Sequence, residues 1–185
     1  MRNENLIDGC VRVLEQGLAL LERIDDSLYM GTGGLPLHSG VGGHIRHCVD
    51  FYQSFLAGLP SGRIDYDRRE RDELAERDRA FAATKLRIII SELQSLPRDA
   101  GETCVLVSLE AETDESNESD DSSRWCGSTI VRELQFLLSH TAHHYALVAL
   151  TLRLRGFEPG EEFGVAPSTL KHWRREEEET AVCVL

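Results

Sequence analysis

From Asn5 to Tyr29, Leu6, Ile7, Cys10, Val11, Val13, Leu14, Leu18, Leu21 and Ile24 recur at helical spacing without a proline, which predicts a first helix. The stretch Gly31-Thr32-Gly33-Gly34-Leu35-Pro36 cannot continue it, and Ser39 offers a side-chain oxygen as the next N-cap. A second helix is expected from Gly40 to about Leu59, with Val41, Ile45, Val49, Tyr52 and Leu56 on one face. A charge-dense connection, residues 63 to 71, then leads into a third helix from about Asp72 to Leu96, ended by Pro97.

The pattern changes after Pro97. Cys104 to Ala111 is short, partly alternating and β-branched, so it reads as a strand, and a second extended piece near Trp125 pairs with it as a hairpin. Between them the acidic run Glu112 to Asp121 reads as a solvated loop tip. The longest apolar-periodic segment, Ser128 to about Arg155, is a fourth helix closed by Gly156 at its C′ position. Residues 163 to 173 read as ordered coil with a short helical turn, and the tail bearing Glu176 to Glu179 as frayed. The expected architecture is an all-α, up-down-type four-helix bundle with an extended or hairpin insert before the last long helix. Residues 1–175 form a single domain in this reading, and 176–185 an acidic, flexible tail.

Composition agrees with one self-sufficient core: 185 residues, 41% hydrophobic and 28% charged. The net charge of -12 argues against nucleic acid or an anionic membrane as partner, since phosphate binding relies on clustered Lys and Arg. Five cysteines, with no CxxC spacing and no secretory h-region, fit a reducing cytoplasm. No apolar stretch approaches the roughly 20 uncharged residues a membrane span requires.

The chemistry concentrates in two segments that hold five of the seven histidines, Gly43-His44-Ile45-Arg46-His47 and Ser139-His140-Thr141-Ala142-His143-His144-Tyr145. Imidazoles at i and i+4 share a helix face, so two can chelate one ion while a third arrives from a neighbouring helix. On a wheel with His140 at zero, His144 lies at about 40°, Glu133 at about 20° and His143 at about 300°. His140 and His144 thus flank the apolar stripe and form the candidate pair, whereas His143 points away. Glu133, on the same stripe, is placed to orient an imidazole or to stand as an ordinary surface carboxylate. On the second helix His44 lies closer to the apolar stripe and His47 toward Asp50 and Ser54, so periodicity favours His44, although either can reach a site between helices.

The two histidine segments, together with Ile24 to Tyr29, Asp65-Tyr66-Asp67-Arg68-Arg69-Glu70-Arg71-Asp72 and Phe163 to Leu170, resemble the DinB/YfiT-like superfamily over most of the chain. The resemblance implies a four-helix bundle with a divalent metal held by one His of helix two and an HxxxH pair on the last long helix. Carried across, the ligands are His47, His140 and His144, with His44 as the alternative to His47. Characterised members are mostly metal-dependent thiol transferases, a mycothiol-dependent isomerase and the iron-binding part of ergothioneine synthases. Zn, Ni or Fe suits three imidazoles. A small-molecule or thiol substrate is implied, and a homodimer is expected because related bundles often dimerise.

The expected function is therefore a metal-dependent thiol transferase or hydrolase. The competing reading is a non-catalytic binding or dimerising bundle with a structural or vestigial site. No catalytic acid, base or nucleophile stands out, because nothing matches a triad, a P-loop or a paired-carboxylate site. Tyr66, Asp67 and Arg68 lie on a loop that can reach the site, with salt-bridging at a helix start the favoured role. Cys48 reads as a small buried hydrophobe.

Overall fold

The structure is a computed structural model that describes residues 2–34, 36, 39–98, 100–108 and 124–182. Among these the chain is mainly helical with a small three-stranded sheet. In chain order the elements are α1 (Arg2–Arg23), α2 (Asp26–Tyr29), α3 (Val41–Gly58), β1 (Arg63–Asp65), α4 (Glu73–Arg77), α5 (Arg79–Gln94), β2 (Cys104–Ser108), β3 (Cys126–Thr129), α6 (Ile130–Leu154) and α7 (Pro167–Val182). The long helices α1 and α3 each pack against both α5 and α6. Their shared interior holds Leu14, Leu21, Val49, Tyr52, Phe55, Leu86, Leu134, Tyr145 and Leu152, all fully buried.

The expected first and third helices are each split in two, and aspartate causes both breaks. Asp25 adopts an extended conformation and accepts the Leu28 N–H, so α2 starts afresh after α1. Asp78 does the same for the Phe81 N–H at the start of α5, and Asp72 caps α4 through Leu74 N–H. A short polar side chain bonding the backbone competes with the helical ladder, and the chain turns while the apolar stripe continues across the break.

Other boundaries also differ from expectation. Gly40, not Ser39, is the N-cap of α3, and no side chain caps it. Ser39 Oγ instead overlies Gly43, where a Cβ would come within 1.9 Å of it. The short helical turn expected within 163–173 is a full helix that starts at Pro167, a residue suited to a first helical turn. That helix runs on through the acidic stretch to Val182, with His172–Glu176 and Arg175–Glu179 paired one turn apart.

The expected hairpin is present: β2 pairs antiparallel with β3, Leu106 opposite Gly127. The acidic run between them lies outside the described residues. A third strand was not expected. β1 joins β2 in parallel, Ile64 opposite Val107, and Ile64 is fully buried. This pairing anchors the start of the 65–72 loop beside α3, which brings Tyr66 and Arg69 next to the histidines. At the end of α6, Gly156 takes φ +80 as the C′ residue expected. Among the described residues no helix is long and apolar enough to cross a membrane.

Candidate metal centre

α3 turns Val41, Ile45, Cys48, Val49 and Tyr52 into the core, leaving His44 and His47 half-buried toward α6. α6 buries Leu137, Thr141, Tyr145 and Val148 and leaves His140 and His144 half-buried one turn apart. The two pairs meet across the helix interface. His47 Nε2 lies 2.9 Å from His140 Nε2, and His44 Nδ1 lies 3.0 Å from His144 Nδ1. One ring nitrogen from each of His47, His140 and His144 falls within 4.8 Å of the other two.

This donor set fits a divalent ion. Nitrogens about 2.05 Å from a tetrahedral ion stand about 3.3 Å apart, so the trio needs only small side-chain adjustments to close on one. All four imidazoles are held neutral at ordinary pH. Burial is the main cause, with the neighbouring histidines and the Arg69 and Arg46 guanidiniums adding repulsion at His47. His47 is pushed down to about 4 and His144 to about 3, while His44 and His140 are lowered from 6.5. Neutral imidazoles keep a lone pair free to donate.

An aromatic wall backs the trio. Phe51, one turn after His47 and 4% exposed, has its ring centroid 4.7 Å from that of His47 and 4.5 Å from that of His140. Phe136 stacks on His140 from one turn before it on α6, and Tyr66 stacks on the Phe51 ring. An apolar lining lowers the local dielectric and strengthens any charge interaction within the site.

The structure brings together His47, His140 and His144, and leaves His44 outside the group although periodicity favoured it. His44 contacts His144 instead, its ring centroid 5.2 Å away. His143 is exposed and lines a separate groove with Leu138, Ala146, Gly164 and Pro167. Glu133 does not reach an imidazole. Seven residues are about 10.5 Å along a helix axis, and its buried carboxylate accepts from the Tyr66 and Ser128 hydroxyls at 3.0 and 2.5 Å.

In the loop, Arg68 makes a salt bridge with Asp65 at 3.7 Å, and the Ser108 hydroxyl donates to Asp67 at 3.4 Å. Cys48 is fully buried, its thiol pushed up to about 12 by burial, as befits a core side chain rather than a nucleophile. The group that sequence reasoning passed over is Arg69. Its guanidinium carbon lies 4.6 Å over the Phe51 ring, and it donates to the Tyr66 carbonyl. Nothing in its spacing sets it apart from the arginines around it.

No family model matches the chain, and no solved structure matches it. A curated protein called FK506-binding protein 5, from Rhizopus delemar, is 28% identical over 122 residues, which is 64% of this chain. The chain spans about 30% of the length of that relative.

Proposed function

We propose that the chain is a DinB/YfiT-like four-helix bundle that holds a divalent ion on His47, His140 and His144, and that it works as a metal-dependent transferase or hydrolase of the thiol-transferase kind. The observation that carries this reading is the trio itself: three neutral imidazoles from two facing helices, within 4.8 Å of one another, on an otherwise apolar wall. Three protein ligands leave a coordination position open, the pattern of catalytic rather than structural sites. Zn, Ni or Fe accepts such donors, and a bound ion supplies Lewis acidity that ionises a thiol or water near neutral pH.

The chain's own residues do the rest. His44 braces His144 through its Nδ1 contact and so sets that ring's orientation. Phe51 and Phe136 exclude water from the side of the site nearest the core. The name of the Rhizopus relative speaks of FK506 binding, but the match covers too little of that protein for this property to be carried over.

Elemental analysis of protein purified without chelator, repeated on His140→Ala, tests the reading. About one equivalent of metal is expected in the native chain and none in the variant. A protein that contains no metal and cannot be loaded with zinc, nickel or iron ends the enzyme reading. One that binds metal while a His47/His140/His144 triple-alanine variant keeps its cellular role is a non-catalytic bundle.

A further inference from the structure

Arg69 and Arg46 both act electrostatically on His47, yet their situations differ. Arg46 is neutralised, bonded at 2.9 Å to Asp50 through one nitrogen and at 2.9 Å to Glu76 through another. Arg69 makes no ion pair among the described residues. Asp50 and Asp67 act on it only through space. Among the described residues it donates to the neutral Tyr66 carbonyl, and its Nε is buried without a partner. A guanidinium carries five donors and stays charged, so this one has donor capacity and a charge that the fold leaves unused.

Its position gives that charge a purpose. The Phe51 ring is flanked by the Arg69 guanidinium at 4.6 Å, the His47 ring at 4.7 Å and the His140 ring at 4.5 Å. A cation that makes no ion pair among the described residues therefore stands one aromatic ring away from the imidazole trio, in a chain whose net charge is -12. Attraction for an anion has to be local in such a protein, and beside the trio Arg69 supplies it.

We propose that Arg69 is an anion-binding, specificity-determining residue, and that the substrate carries an oxyanion a few bonds from the atom that reacts at the trio. The donor-atom half of this statement rests on the metal reading above; the anion half does not. A guanidinium takes carboxylate or phosphate in the same forked geometry, so the shared chemistry is a small oxyanion.

The first measurement uses metal-free protein, following the Arg69 Nε–H resonance, assigned by its loss in Arg69→Gln, during titration with propionate and, separately, with inorganic phosphate. Saturable movement by one of them supports the proposal and names the anion. The second uses cobalt-loaded protein titrated with 3-mercaptopropionate and with 2-mercaptoethanol, read from the visible cobalt spectrum. The carboxylate-bearing thiol is expected to bind about tenfold or more tightly, and Arg69→Gln to remove that preference without changing cobalt content or the mercaptoethanol affinity. Arg69→Lys, which keeps the charge, serves if the glutamine variant does not fold, and retains part of the preference. An Arg69 resonance that neither anion moves in either form of the protein overturns the proposal, as does a preference that survives Arg69→Gln. Anion binding in a chain that takes up no metal leaves Arg69 standing and removes the metal reading alone.

Discussion

Zinc affinity measured against pH puts the burial of the histidines to a quantitative test. An ion must displace any proton from each imidazole it binds, so a lowered imidazole pKa weakens the proton as a competitor. Three ordinary imidazoles with pKa about 6.5 would each go from about nine-tenths to about one-tenth neutral between pH 7.5 and 5.5, and affinity would fall about a thousandfold. Here His47 lies near 4 and His144 near 3. At pH 5.5 that leaves about one His47 in thirty protonated and fewer of His144, so these two contribute almost nothing to the loss. His140 is lowered as well, which holds its contribution below tenfold. The expected fall is thus under tenfold in total. Competition against a chromophoric zinc chelator, corrected for the chelator's own protonation, measures it directly. A loss of a hundredfold or more over this interval would mean that the rings titrate like solvent-exposed histidines, and the burial argument would fail.

Two further outcomes separate neighbours that look alike in sequence. His44→Ala is expected to weaken zinc binding about 10- to 100-fold by freeing the His144 ring, while the exposed His143→Ala leaves it unchanged; equal losses would count against the bracing role of His44. Gly17→Ala is expected to destabilise the fold by about 1–2 kcal/mol despite the better helix propensity of alanine, read as a lower urea midpoint. A Cβ there would sit 1.9 Å from the Tyr145 hydroxyl and 2.7 Å from the ring carbon bearing it, and Tyr145 is fully buried and stacked on Phe163, so it has nowhere to move. A midpoint equal to or above that of the native chain would show that this contact yields.

The sequence made some elements readable and hid others for identifiable physical reasons. α6 was legible because 25 residues of unbroken periodicity place His140 and His144 on one edge of a stripe, a property of the helix alone. The breaks at Asp25 and Asp78 were not, because a capping side chain redirects the backbone without interrupting the spacing of apolar residues on either side. β1 is three residues long, too short for alternation to register, and exists through a partner more than forty positions away. Arg69 owes its place to that same pairing, so no local pattern could single it out.

The choice between His44 and His47 shows most clearly what a helical wheel measures. Its apolar vector points toward the average of everything a helix buries, and α3 buries itself against both α5 and α6. A site shared with α6 alone lies to one side of that average. The residue nearest the vector, His44, is then not the one best placed to share a site with α6. The same reasoning applies to α6, where the stripe is led by the fully buried Leu137, Thr141 and Tyr145 while His140 and His144 sit half-buried at its margin. Ligands that must face both an ion and an open coordination position belong at the margin of a stripe. On that criterion the offset of His47, which counted against it in the periodicity, is what a ligand position should show.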